Sequence, residues 1–258
     1  MNPVNMFLAG WAISACLMLI LWEAQRRRGN AAIVDIAWAV LTGLLGISFV
    51  CMASGNDSRR ILVIVMASGW SLRLGLYLFS RLLQAGEDNR YRQVRQKWSQ
   101  KYFFWFFQVQ ALWAVMFAAP MFASATNPNT LGWLDGLGCF LWIVAIGGES
   151  IADHQLTSFK ANTSNKGRVC QNGLWRYSRH PNYFFEWIHW WAYLCLAFGS
   201  PLWWIACGGV VLMLIFLTKI TGIPTVEAQA VRSYGEVYRE YQKTTSGFFP
   251  WPPTTRRL

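Results

Sequence analysis

Seven apolar runs organise this chain, at residues 4–22, 31–53, 61–83, 102–124, 131–152, 183–198 and 202–218. An α-helix of about 20 such residues spans the ~30 Å hydrocarbon layer of a bilayer and satisfies its own backbone N–H and C=O groups. The predicted fold class is therefore an all-α integral membrane protein with about seven transmembrane helices. Charge content agrees: 14% of the 258 residues are charged and 54% are hydrophobic, against about 25% charged in a soluble domain. No repeat, low-complexity tract or second domain is visible. Residues 1–258 read as a single membrane domain.

The basic residues set an orientation. With the N-terminus outside, segments 24–30, 81–101, 153–182 and 219–258 face the cytosol and hold 3, 6, 5 and 6 Lys and Arg, or 20 of 23. The outer turns keep only Arg59 and Arg60, while Arg73 lies within a run. The positive-inside rule then predicts a cytosolic C-terminus. It also accounts for the net charge of +11, so nucleic acid is not an expected partner. No basic region precedes the first apolar run, and Arg26, Arg27 and Arg28 follow it. That order predicts a retained first span rather than a cleaved signal. The six cysteines are scattered, five of them in apolar runs, without CxxC or Cys/His metal spacing. Neither a disulfide framework nor a bound metal is expected.

The densest chemistry lies in Gly173-Leu-Trp-Arg-Tyr-Ser-Arg-His-Pro-Asn-Tyr-Phe-Phe-Glu186-Trp187. Pro181 suits the first turn of a helix, on which Asn182 and Glu186 share a face. Free N–H groups at that helix start, with Arg176, Arg179 and His180 alongside, make a place for phosphate. The alternative is a membrane-surface anchor, with arginines on headgroups and aromatics in the interface. Glu149 and Asp153 lie one turn apart at the cytosolic end of the fifth run, with Lys160 two turns further. In the second run Asp35 and Trp38 share a helical face, as do Trp70 and Arg73 in the third. A charge within lipid is costly, so Asp35 and Arg73 are either an ion pair or functional. The segment Gly86-Glu-Asp-Asn-Arg-Tyr91 caps the third run. His189 reads as a satisfied interior histidine. In the tail, Tyr234, Tyr238 and Tyr241 recur at helical spacing, as on a helix lying along the membrane surface. Phe248-Phe-Pro-Trp-Pro-Pro253 reads as a terminal anchor.

The motif Gly-Leu-Trp-Arg-Tyr-Ser-Arg-His-Pro-Asn-Tyr, followed by Glu186, resembles the C-terminal signature of the steroid 5-alpha-reductase-like membrane proteins. Their bacterial branch, classed as a domain of unknown function, is the nearer match. The resemblance covers residues 130–250 well and the N-terminal half loosely. It implies an NADPH-dependent reductase in a bacterial inner membrane, reducing a carbon–carbon double bond conjugated to a carbonyl in a lipophilic, steroid- or isoprenoid-like substrate. Spans in 1–124 would wall the substrate cavity, and 131–250 would bind the cofactor. The cofactor residues it implies are Glu149, Asp153, Lys160, Arg168, Tyr177, Arg179, His180, Asn182, Tyr183, Glu186, Tyr238 and Tyr241. Trp38, Trp70 and Arg73 fall at substrate positions, with Asp35 and Tyr91 as the catalytic pair. A monomer is compatible with this reading.

Three positions depart from the family pattern. Glu149 replaces an asparagine, Phe185 stands where a glycine usually precedes the glutamate, and Trp70 takes the place of a substrate-binding tyrosine, for which Tyr91 or Tyr77 could substitute. The shorter core Arg-His-Pro-x-Tyr also occurs in isoprenylcysteine and phospholipid methyltransferases. An S-adenosylmethionine-dependent methyltransferase is thus an alternative, as is a non-enzymatic membrane binding or assembly protein. No soluble-type GxGxxG fingerprint is present. Three histidines without a nucleophile elbow argue against a Ser-His-Asp hydrolase.

Overall fold

The computed structural model describes residues 2–85, 91 and 99–254. The polar cap at 86–90 lies outside the described residues. The described residues form helices joined by turns and irregular segments, with no strand among them. The helices are α1 (Pro3–Arg28), α2 (Ile33–Cys51), α3 (Asp57–Ala85), α4 (Gln100–Ala125), α5 (Trp133–Ala161), α6 (Pro181–Ala197), α7 (Trp203–Ile215), α8 (Ile223–Tyr234) and α9 (Glu236–Thr244). A π-helical turn, Phe216–Ile220, follows α7, and 3-10 turns cover Thr163–Asn165 and Gly173–Arg176. Six helical stretches are long and apolar enough to cross a membrane: Pro3–Arg27, Ile33–Cys51, Asp57–Leu83, Gln100–Ala125, Trp133–Ala161 and Trp203–Tyr234. The chain is an integral membrane protein by that measure. The run at 183–198 is the exception. It forms α6, only 17 residues long, which rises about 25 Å.

The chain divides into two compact units, Met1–Asp135 with Tyr193–Gly209, and Gly136–Ala192 with Val210–Leu258. In the first, α2 packs on α3 and α4, and α1 packs on α4. Small residues allow the close approach. A Cβ at Gly46 would fall 2.2 Å from Met121 Sδ, and one at Gly43 would fall 2.3 Å from Ser71 Cβ. Without hydrophobic driving force in lipid, such contacts and interhelical hydrogen bonds hold helices together. Ser71 Oγ donates to the Ala39 carbonyl at 3.0 Å. The outward face of α1 is apolar, with Leu8, Ile13 and Ile20 all more than half exposed, as a lipid-facing surface requires.

The turn before α5 is fixed by Arg59, which is 2% exposed. Its Nε and Nη2 grip Asp135 at 2.7 and 2.8 Å. Nη1 donates to the Asn127 and Asn129 carbonyls and Nη2 to that of Thr130. All five guanidinium donors are matched. In the second unit, the Phe185 ring of α6 lies over Gly148 of α5, where a Cβ would meet ring atoms at 2.4 Å. Trp187 Nε1 donates to the Val210 carbonyl at 3.1 Å, tying α6 to α7.

Candidate functional site

In the second unit the site grows from the start of α6. Asn182 donates from Nδ2 to Asp153 Oδ1 at 3.2 Å, while its own Oδ1 accepts the Tyr183 backbone N–H at 3.1 Å. One side chain thus satisfies a helix-start donor and reaches the acidic face of α5. Glu149 and Asp153 are both buried there, at 5% and 4% exposure. One turn into α6, Glu186 accepts from Trp190 Nε1 at 3.2 Å. Glu149, Asp153 and Glu186 are thus buried carboxylates, and the half-buried Asn182 amide reaches one of them, Asp153; such groups can accept from hydroxyl and amide donors.

Arg179 and His180 turn the other way. Arg179 Nε meets Glu227 Oε1 of α8 at 2.7 Å, and its Nη1 donates to the Gln242 carbonyl at 3.0 Å and to the Thr245 carbonyl. His180 Nε2 lies 3.2 Å from the same Glu227 oxygen, and Gln242 Nε2 donates to Glu227 Oε2 at 2.8 Å. The imidazole also stacks on Tyr183, with centroids 5.4 Å apart and planes 9° from parallel. Burial lowers the His180 pKa below its ordinary value, although the Glu227 hydrogen bond and charge oppose it; the Arg179 charge adds to the lowering. Glu227 and Gln242 belong to no motif in the sequence. The available signal was that Glu227 is the only acid between positions 219 and 236.

The tail is laced onto the motif through its backbone. The Arg179 N–H donates to the Ser246 carbonyl at 2.9 Å and the Trp251 N–H to the Tyr177 carbonyl at 2.9 Å. Ser178 Oγ donates to the Phe248 carbonyl at 2.9 Å. Tyr241 Oη donates to the Trp175 carbonyl. Burial raises the pKa of Tyr241, with the neighbouring Tyr238 and Cys170 adding to it. It likewise raises that of Tyr238. Both phenols stay protonated as structural donors. The segment predicted as a terminal anchor packs onto the motif, with Phe248 buried against Phe184 and Trp187. Lys160, Arg168, Arg176 and Tyr177 are exposed. Arg176 opens on a groove of about 480 Å³, lined also by Gln171, Asn172, Gly173, Thr244 and Thr245.

The first unit brings the other predicted residues together. Tyr91 Oη donates to Asp35 Oδ1 at 2.6 Å, and Tyr91 is 7% exposed. Trp38 stands edge-on to Trp70 at 6.0 Å and to Phe117 at 5.8 Å. The Arg73 guanidinium lies 5.4 Å from the centre of the Tyr77 ring, a cation–π contact that eases its burial.

A family pattern described as "Protein of unknown function (DUF1295)" matches residues 21–245. The chain belongs to that family. It is also similar to the Uncharacterized protein C594.04c of Schizosaccharomyces pombe (strain 972 / ATCC 24843), at 27% identity over 281 aligned positions, covering 95% of this chain and 80% of the relative. No solved structure matches this DUF1295 chain significantly.

Proposed function

We propose that this DUF1295 protein is an NADPH-dependent membrane reductase of the steroid 5-alpha-reductase-like kind. It reduces a double bond conjugated to a carbonyl in a lipophilic, steroid- or isoprenoid-like substrate. The observation that carries the reading is the 2.6 Å hydrogen bond between Tyr91 and Asp35. Bound NADPH would supply a hydride to the β-carbon and leave as NADP⁺, with a proton delivered to the α-carbon. The charge developing on the carbonyl oxygen needs a donor already in place. A substrate carbonyl entering here would draw the Tyr91 O–H away from Asp35 Oδ1, which holds it ready as that donor, and Trp38 and Trp70, packed edge to face, offer apolar surface on the same unit. Arg73, on the same helix as Trp70, belongs to the substrate side.

The cofactor's amide and ribose fall to Glu149, Asp153, Asn182 and Glu186, and its phosphates to Lys160 and Arg168. In this reading α6 counts as a seventh span, the N-terminus is outside, and the loop at 153–182 and the C-terminus face the cytosol of a bacterial inner membrane. Titration of the purified protein with NADPH tests the proposal. Asn182→Ala and Glu186→Gln are expected to weaken binding at least tenfold, the scale of one or two buried hydrogen bonds, with unchanged expression. Wild-type affinity in both variants returns this stretch to an anchoring role.

One observation favours the methyltransferase reading. Arg179 is engaged by Glu227 rather than held out for a polyphosphate, and S-adenosylmethionine has no phosphate to bind. Tight binding of S-adenosylmethionine without NADPH binding decides for that alternative.

A further inference from the structure

Glu227 does more than neutralise Arg179. Its Oε1 receives Arg179 Nε at 2.7 Å and faces His180 Nε2 at 3.2 Å. Its Oε2 receives Gln242 Nε2 at 2.8 Å. An arginine in direct contact keeps the carboxylate ionised, and an ionised carboxylate can only accept. The proton in the His180 contact is therefore on Nε2. Two further contacts hold the residue. The His180 backbone N–H donates to Ser178 Oγ at 3.1 Å, and the imidazole plane is fixed by its stack on Tyr183.

A neutral imidazole has one donor and one acceptor nitrogen. With Nε2–H committed to Glu227, Nδ1 carries the lone pair, and no described residue pairs with it. We propose that Glu227 is a positioning residue that locks His180 in its Nε2–H form and so presents Nδ1 as an acceptor for an O–H or N–H group of a bound nucleotide. The inference rests on the cofactor reading for its ligand. It also alters the part played by His180. A lone pair repels phosphate oxygen, so the ligand group at His180 is a ribose hydroxyl or a carboxamide N–H, and the phosphates fall to the exposed bases. The lowered basicity of the buried ring agrees with a neutral imidazole. Carboxylate-oriented histidines are a general way of fixing which ring nitrogen faces a ligand.

The test is nitrogen NMR of the full-length, ¹⁵N-histidine-labelled protein in detergent, with His180 assigned among the three histidines by loss of its signals in His180→Gln. The wild type is expected to show a protonated Nε2 and a bare Nδ1 at neutral pH. Glu227→Gln should mix the two tautomers and weaken NADPH about tenfold, the loss of one well-placed hydrogen bond. NADPH added to wild type should move the Nδ1 resonance. A proton on Nδ1 in the wild type overturns the proposal, and that measurement needs no variant to fold. Unchanged signals in Glu227→Gln, or NADPH binding that leaves Nδ1 unmoved, overturn it as well. If wild type binds no NADPH, the cofactor reading fails while the tautomer result stands. S-adenosylmethionine, which carries ribose hydroxyls and an ammonium group, then serves as the probe. A silent Nδ1 with that ligand too removes the acceptor role.

Discussion

Replacing Arg59 with methionine should be among the most damaging single changes to this fold. Methionine keeps much of the apolar stem and removes the guanidinium. Five hydrogen bonds vanish with it, two to Asp135 at 2.7 and 2.8 Å and three to the carbonyls of Asn127, Asn129 and Thr130 at 2.6 to 3.2 Å. Asp135, 6% exposed, then keeps the Gly132 N–H at 2.8 Å as its donor among the described residues. Breaking a buried pair from one side costs about 3–5 kcal/mol, because a charge is left dry. Removing both charges in Arg59→Met/Asp135→Leu should recover part of that loss, leaving about 1–3 kcal/mol for the carbonyls that lose their donor. The neighbouring pair Arg60–Asp57, with Asp57 86% exposed at the side chain, is the control. Asp57→Ala should cost no more than about 1 kcal/mol. Tryptophan fluorescence during SDS titration of the protein in mixed micelles measures these three variants and the single Asp135→Leu. A loss below about 1 kcal/mol in Arg59→Met, or a double variant weaker than either single one, refutes the buried-charge argument.

On topology, single cysteines at positions 165 and 255 in a cysteine-free background should escape an impermeant reagent applied outside intact cells; labelling at either reverses the orientation. On the cofactor's phosphate, Lys160→Ala and Arg168→Ala should weaken NADPH on the order of 10- to 100-fold while NADH changes far less, since a charge-assisted phosphate contact is lost. Equal weakening of both nucleotides would place these bases on the shared pyrophosphate instead. On pH, burial lowers the His180 pKa in the folded chain, so the unfolded chain takes up the proton first. The stability that His180 contributes is full above the unfolded value of about 6.5 and is lost as pH falls from there to the folded value. His180→Gln should flatten that part of the unfolding-versus-pH curve, and an unchanged slope would show that other groups carry it.

The helices were legible in the sequence because lipid leaves the backbone little choice. The run 102–124 became Gln100–Ala125, and 61–83 became Asp57–Ala85. The spacing of Asn182 and Glu186 likewise placed them on one helical face. The partners of these side chains were not legible. Asp35 and Tyr91 were each recognisable as costly or reactive groups, yet their pairing across 56 residues depends on how helices pack. Arg179 and His180 read as phosphate-directed because an arginine beside a helix start carries no mark of a partner at position 227. The lacing of 246–251 onto 177–179 is backbone hydrogen bonding, to which side-chain patterns are blind.

Phe185 shows how a local departure from a family pattern can be resolved elsewhere in the chain. An aromatic ring in place of a glycine, directly before Glu186, implies crowding beside the face of α6 that carries Asn182 and Glu186. The ring instead occupies the space that Gly148 leaves on α5, where a Cβ would come within 2.4 Å of Phe185 Cδ1. The volume added on one helix is matched by volume absent on the other, so the two backbones can approach without a void or a clash. Gly148 immediately precedes Glu149 and lies five residues before Asp153. Close packing at this point thus helps fix the height at which the acidic face of α5 stands, which is the face that Asn182 reaches at 3.2 Å. The substitution at 185 is a reason for the glycine at 148, and together they position the carboxylates.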